Sequence, residues 1–249
     1  MVILKAPWEI DRLRVSNQVV ARVLEALGRA ARPGVPTREL DRLAEDLLGK
    51  EGAAPAFKGY KGYPFALCVS VNEEVVHGMP SERALQEGDI VSLDLGAIVD
   101  GYYGDGAVTV PVGEVPDAAQ RLLRVTREAL DLGVRAARRG ARLGDVSHAV
   151  QSHVERHRYS VVRTFVGHGI GKQLHEEPQI PNFWPPGRGP VLLPGMVLAI
   201  EPMVNAGGPE VEILADRWTA VTADRSLSAH FEHTVAITEN GTEVLTRAG

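Results

Sequence analysis

The chain is poor in sulfur, in lysine and in aromatic residues. One cysteine, Cys68, stands among 249 residues. That excludes an internal disulfide and any zinc site built from thiolates. Of the 27 basic residues only Lys5, Lys50, Lys58, Lys61 and Lys172 are lysines. Aromatic residues make up 5%. No apolar run approaches the length of a membrane span. Lys5, Glu9, Asp11 and Arg12 interrupt the first residues, so no secretory signal core is expected. The net charge of −5 gives no electrostatic reason to expect nucleic acid or an anionic membrane as partner, and no nucleic-acid motif is present. With 44% hydrophobic and 24% charged residues, the composition suits an ordinary globular protein. A cytoplasmic monomer of one domain, residues 1–249, is the expectation.

Periodicity organises the first part of the chain. From Trp8 to Ala30, Ile10, Leu13, Val20, Leu24 and Leu27 recur at helical steps. Pro33-Gly34 ends that run, and Thr37 is placed to cap a second helix through Leu48. Helices are also expected over Asp117–Ala137 and Gly144–Arg156. Gly59–Pro64 is an aromatic, glycine-rich loop. Strands are expected at Phe65–Val71, Val161–Val166, Val197–Val204, Val211–Leu214, Trp218–Val221 and His230–Thr238, with a late turn at Asn240-Gly241.

The most informative stretch runs from Gly88 to Asp105. Asp100-Gly101 between two β-rich runs is a two-residue hairpin signal, because both turn positions need φ > 0. That turn sets Gly96 opposite Asp105, and Asp94 shares the face of Gly96. Asp94 and Asp105 become diagonal neighbours with Cβ atoms roughly 7–8 Å apart. Two carboxylates on one apolar face repel unless something positive sits between them, and a divalent cation would fit. Two exposed acids on a wet sheet face are the other reading.

The pattern then repeats. Ala31-Arg32-Pro33-Gly34 returns as Ala137-Arg138-Arg139-Gly140, each between two helices. The strand ending in Asp94 returns, at nearly the same spacing, as the strand ending in Glu201. His77-Gly78 resembles His168-Gly169 more loosely. Two related halves, about 8–112 and 116–245, packed about a pseudo-twofold, account for the order. Facing halves would bring Asp94 and Glu201 together, and strand alternation adds Glu232 on the face opposite Phe231 and His233. The convergent set is Asp94, Asp105, His168, Glu201 and Glu232, an oxygen-rich site suited to Mn, Fe, Co or Zn. Other motifs fail. His175-Glu176-Glu177 begins like a zincin helix, but Pro178 and Gln179 break the pattern. No nucleophile elbow and no P-loop occurs.

The segments NEEVVHGMP, SLDLGAIVDGYYGD, GHGIGKQLHEEP, AIEPMV and FEHTVAIT, in that order, resemble the methionine aminopeptidases of the pita-bread peptidase family. The similarity covers essentially the whole chain and is to the bacterial type I form. It implies an α/β pita-bread fold, a curved antiparallel sheet flanked by helices with pseudo-twofold halves. It also implies removal of the N-terminal methionine from nascent polypeptides with a small second residue, by a hydroxide bridging two divalent ions. Asp94 would then chelate one ion, Asp105 and Glu232 would bridge both, and His168 and Glu201 would complete the second. Glu201 would move the proton, His175 would stabilise the oxyanion, and His77 would meet the substrate backbone. Tyr60, Tyr63, Cys68 and Trp218 correspond to the methionine pocket, with Phe57 and Leu174 reshaping it by exchanging volume. N-termini of nascent chains are the implied partner, with transient ribosome proximity. The competing readings are a proline-directed pita-bread peptidase and a non-catalytic binding protein on the same fold.

Overall fold

The computed structural model describes residues 1–247. Among the described residues there are four α-helices: α1 Pro7–Ala30, α2 Thr37–Lys50, α3 Asp117–Ala136 and α4 Leu143–Arg156. Each buries one apolar stripe. Leu13, Val20, Leu24 and Leu27 of α1 are buried, as are Leu122, Val125, Ala129 and Leu130 of α3. Thr37 does not cap α2. Its extended N-cap is Pro36, and the Thr37 hydroxyl instead donates to the Ser81 carbonyl.

The helices cover a nine-stranded antiparallel sheet. Its spatial order is Ala54–Pro55, Ile90–Val99, Tyr102–Pro111, Glu232–Thr238, Val197–Ile200, Gly167–Gly169 and Glu176–Ile180. Leu67–Val71 also pairs Ile90–Val99, and Gly241–Val244 also pairs Glu232–Thr238. Two three-stranded sheets complete the fold. The central hairpin turns where the dipeptide predicts, with φ of 49° at Asp100 and 79° at Gly101. Gly96 pairs with Asp105 as expected.

Several expected strands are shorter. Val197–Val204 breaks after Ile200 because Pro202 offers no N–H to a ladder. The His230–Thr238 run breaks at Phe231, whose N–H turns to the Pro202 carbonyl at 3.3 Å. Of the 161–166 run only Val161 pairs, as the end of the strand Ser160–Val161. Trp218 and Thr219 stay outside the strand because both N–H groups donate to Asp216 Oδ1 at 2.9 Å. The late turn falls one residue early, on Glu239 and Asn240, since Thr238 pairs Gly241. The two His-Gly pairs also differ: His168 lies inside a strand, while His77 follows one at φ 60°. Among the described residues, no helix is long and apolar enough to cross a membrane.

Candidate active site

Sheet register builds the site as two rows on one face. Cys68 pairs Asp94, Asp94 pairs Ala107, and Ala107 pairs Glu232 on its other side. Glu201 follows Ile200, which pairs His233, and so extends this first row. The second row lies two residues along. Gly96 pairs Asp105, the Thr234 hydroxyl donates to the Asp105 carbonyl at 2.8 Å, and Thr234 and His168 both pair Ala199. Small residues, Gly96, Ala107 and Ala199, alternate with the ligand types. At Gly96 the missing side chain is replaced by the Phe57 ring and the Ala56 methyl, which approach too closely for a Cβ.

The geometry within the rows is tight. Asp105, His168 and Glu232 are buried, and one ligand atom from each lies within 4.8 Å of the others. His168 Nε2 is 3.6 Å from Asp105 Oδ2 and 3.6 Å from Glu201 Oε1. His168 Nδ1 donates to the Gly169 carbonyl at 2.9 Å. A carbonyl can only accept, so the proton is on Nδ1 and the Nε2 lone pair faces the acids. Burial lowers this imidazole's pKa to about 3.

The carboxylates behave oppositely. Burial, then mutual repulsion, pushes Asp105 and Glu232 well above the usual acid range. Asp94 and Glu201 are raised as well, chiefly by burial. Asp94 Oδ1, Asp105 Oδ1 and Glu232 Oε1 are buried without a hydrogen-bond partner. Orphaned acceptors of this kind are expensive, and several facing one another are more so. They are satisfied by a divalent cation, so the residues present fit a metal centre of hard oxygen donors and one imidazole.

One residue of this cluster escaped the sequence reading. His230 is 1% exposed, and neither ring nitrogen has a partner. Its Nε2 lies 3.6 Å from Glu201 Oε2, so His168 and His230 flank the two oxygens of one carboxylate. The signal was available. His230 stands two residues before Glu232, and a period of two places both on one face.

A cavity of about 170 Å³ opens over the acids. All eleven candidate positions line it: Asp94, Asp105, His168, Glu201 and Glu232, His77 and His175, and Tyr60, Tyr63, Cys68 and Trp218. Phe57, Leu174 and Lys61 join them. His175 Nδ1 is 2.9 Å from the Tyr60 hydroxyl, and its ring is 4.2 Å from that of His168. His77 packs edge-on to Phe165 and Trp218, and burial lowers its pKa to about 4. The Tyr63 hydroxyl is engaged by the Leu67 and Gly78 carbonyls, so Tyr63 offers the cavity an apolar ring. Burial and the nearby Asp94 push the Cys68 thiol up, which keeps it protonated and unsuited to nucleophilic attack.

Buried acids that demand a cation, at the floor of an apolar cleft on a curled antiparallel sheet, define a class: a metal-dependent hydrolase of pita-bread architecture. The chain belongs to metallopeptidase family M24, whose model matches residues 11–239. It is 53% identical over 247 residues to a methionine aminopeptidase of Bacillus subtilis, covering 99% of this chain and 100% of that one. A methionine aminopeptidase of Escherichia coli is 44% identical over 245 residues, covering 98% and 93%. A crystal structure of methionine aminopeptidase from Thermotoga maritima superposes with a TM-score of 0.98 at 50% identity, covering 99% and 100%. The prolidase of Pyrococcus horikoshii shares the fold, with a TM-score of 0.81 at 24% identity. This chain covers 65% of that protein.

Proposed function

We propose that this protein removes the N-terminal methionine from peptides with a small second residue. The observation that carries the reading is the union, in one cavity, of orphaned carboxylate oxygens with an apolar slot beside them. Asp94, Asp105, His168, Glu201 and Glu232 would hold two divalent ions of Mn, Fe, Co or Zn. Ions bound there would supply Lewis-acid polarisation of the scissile carbonyl and would lower the pKa of a water toward neutrality.

The protein's own groups do the rest. Glu201 accepts a proton from the attacking water and returns it to the leaving amine, a role suited to a carboxylate whose two oxygens face His168 and His230 at the end of the acid row. His230 faces the second oxygen of Glu201 at 3.6 Å, and a small closure would turn this contact into a hydrogen bond that fixes the carboxylate's rotamer. With the Tyr60 hydroxyl donating to Nδ1, His175 keeps its proton on Nε2 and donates it to the developing oxyanion. His77 hydrogen-bonds the substrate backbone near the cut bond. Tyr63, Cys68 and Trp218, with Phe57 and Leu174, enclose the thioether, where sulfur–aromatic contacts add roughly 0.3–1.5 kcal/mol each.

The order of acidic strands across the sheet, Asp94 then Asp105 then Glu232 then Glu201, is symmetric about its centre. It supports two duplicated halves within one catalytic domain. Nascent chains in the cytoplasm are the natural substrates, met close to the ribosome by a monomeric enzyme. The test is metal titration of the apo-protein with turnover of Met-Ala-Ser beside a Gly-Pro peptide. Metal-dependent cleavage of Met-Ala-Ser alone is expected. Preference for Gly-Pro would move the chain to the proline-directed peptidases, and no turnover with ions bound would make it a binding protein.

A further inference from the structure

Away from the cleft, α3 and α4 bring a second set of ligand atoms together. Glu128 of α3, His153 of α4 and His157 at the C-cap of α4 each place one donor atom within 4.8 Å of the others. We propose that these three side chains form a separate site for a borderline transition-metal ion, Zn²⁺, Ni²⁺ or Cu²⁺, that fastens α3 to α4.

His153 and His157 are one helical turn apart and share a face. Their ring centroids are 4.5 Å apart. His157 Nδ1 donates to the His153 carbonyl at 2.9 Å, which fixes the tautomer and leaves the Nε2 lone pair free to bind an ion. His153 Nε2 lies 3.0 Å from Glu128 Oε2. Two ligands on a tetrahedral zinc stand about 3.3 Å apart, from bond lengths of about 2.0–2.1 Å. The pair is therefore already near the edge of a coordination polyhedron. Burial, then the neighbouring His157, lowers the pKa of His153, the direction that favours binding an ion over binding a proton. The His153 side chain is 14% exposed and that of Glu128 is 46% exposed. The site is thus sheltered on one side and open to a water as fourth ligand on the other.

The surrounding charge selects the ion. Arg124 lies 4.0 Å from Glu128 Oε1, Arg156 adds to the lowering of His153, and Arg121 donates to the His157 carbonyl. One carboxylate among three guanidinium groups will not retain Mg²⁺ or Ca²⁺, which need several oxygen donors. Two directional imidazoles favour Zn²⁺, Ni²⁺ and Cu²⁺.

Calorimetric titration of the full chain with Zn²⁺ tests the site, beside Cu²⁺ titration followed by EPR. The parent is expected to take up one more Zn²⁺ per chain than His153→Gln or His157→Gln. Its Cu²⁺ spectrum should contain a species with two imidazole nitrogens that both variants lack. Glu128→Gln should weaken that binding by about tenfold or more, read as a ratio of dissociation constants. Met-Ala-Ser turnover should be the same in all four proteins. Equal Zn²⁺ uptake by the parent and both histidine variants would overturn the site, as would a two-nitrogen copper species that survives in them.

Discussion

Removing the metal should make stability fall with rising pH across the neutral range. Asp94, Glu201, Asp105 and Glu232 all have folded-state pKa values raised above their unfolded ones. Above the ordinary carboxylate range the apo-protein therefore holds protons that the unfolded chain has released. A native state that binds the extra proton loses stability as pH rises, until the folded-state pKa is passed. The buried histidines act in the opposite sense, because His77 is lowered to about 4 and His168 to about 3. Their effect is confined below the unfolded imidazole value of about 6.5. The window from about pH 6.5 to about pH 8 thus isolates the acids, ending at the value to which Glu201 is raised and short of the Cys68 thiol, which burial also raises. One retained proton tilts stability by about 1.4 kcal/mol per pH unit, or about 2 kcal/mol across that window. For a chain of this size that is a fall in Tm of about 4–8 °C. Differential scanning calorimetry of chelator-treated protein would measure it. The same scan with saturating Mn²⁺ should lose the slope, because the ion takes the place of the shared protons. Glu201→Gln should flatten the apo slope. An apo Tm that holds steady or climbs over this window would refute the account of the acid cluster.

Other outcomes follow from single side chains. Asp94→Asn should abolish Met-Ala-Ser turnover and remove one equivalent of metal by calorimetry. His175→Ala should keep both ions yet lower kcat by about 10²–10³; unchanged kcat would remove His175 from the chemistry. His230→Leu should lower kcat about 10–100-fold with little change in KM, and His230→Gln, which restores a donor, should recover most of it. Equal losses in the two variants would make His230 a packing residue. Phe57→Ala should raise KM for Met-Ala-Ser, since Phe57 lines the cleft, and an unaltered KM would place it outside the methionine pocket.

The parts of the fold legible in the sequence were those written in one local signal. Asp100-Gly101 specified both the turn and the register that puts Asp94 and Asp105 on one face. The helices were legible because their apolar stripes are long. Illegible elements depended on partners far along the chain. Glu176–Ile180 is charged and short, and becomes a strand only because Gly167–Gly169 lies beside it. Thr37 reads as a cap until the Ser81 carbonyl competes for its hydroxyl. Acids carried most of the candidate site, because a carboxylate in an apolar run is conspicuous. A histidine in a mixed run such as Ser228–His230 is not, and His230 passed unnoticed.

The sheet joins its two sides through a short ladder. Tyr102–Pro111 and Glu232–Thr238 pair at two positions, Glu232 with Ala107 and His233 with Gly106, and side-chain bonds from Thr234 to the Asp105 carbonyl and between Thr109 and His230 flank them. The acidic side chains sit astride that narrow seam, two contributed from each side. An ion bound there acts as a rivet as well as a reagent. Demetallation should first loosen the join between Gly106 and His233, with amide exchange quickening along it before either flank begins to unravel.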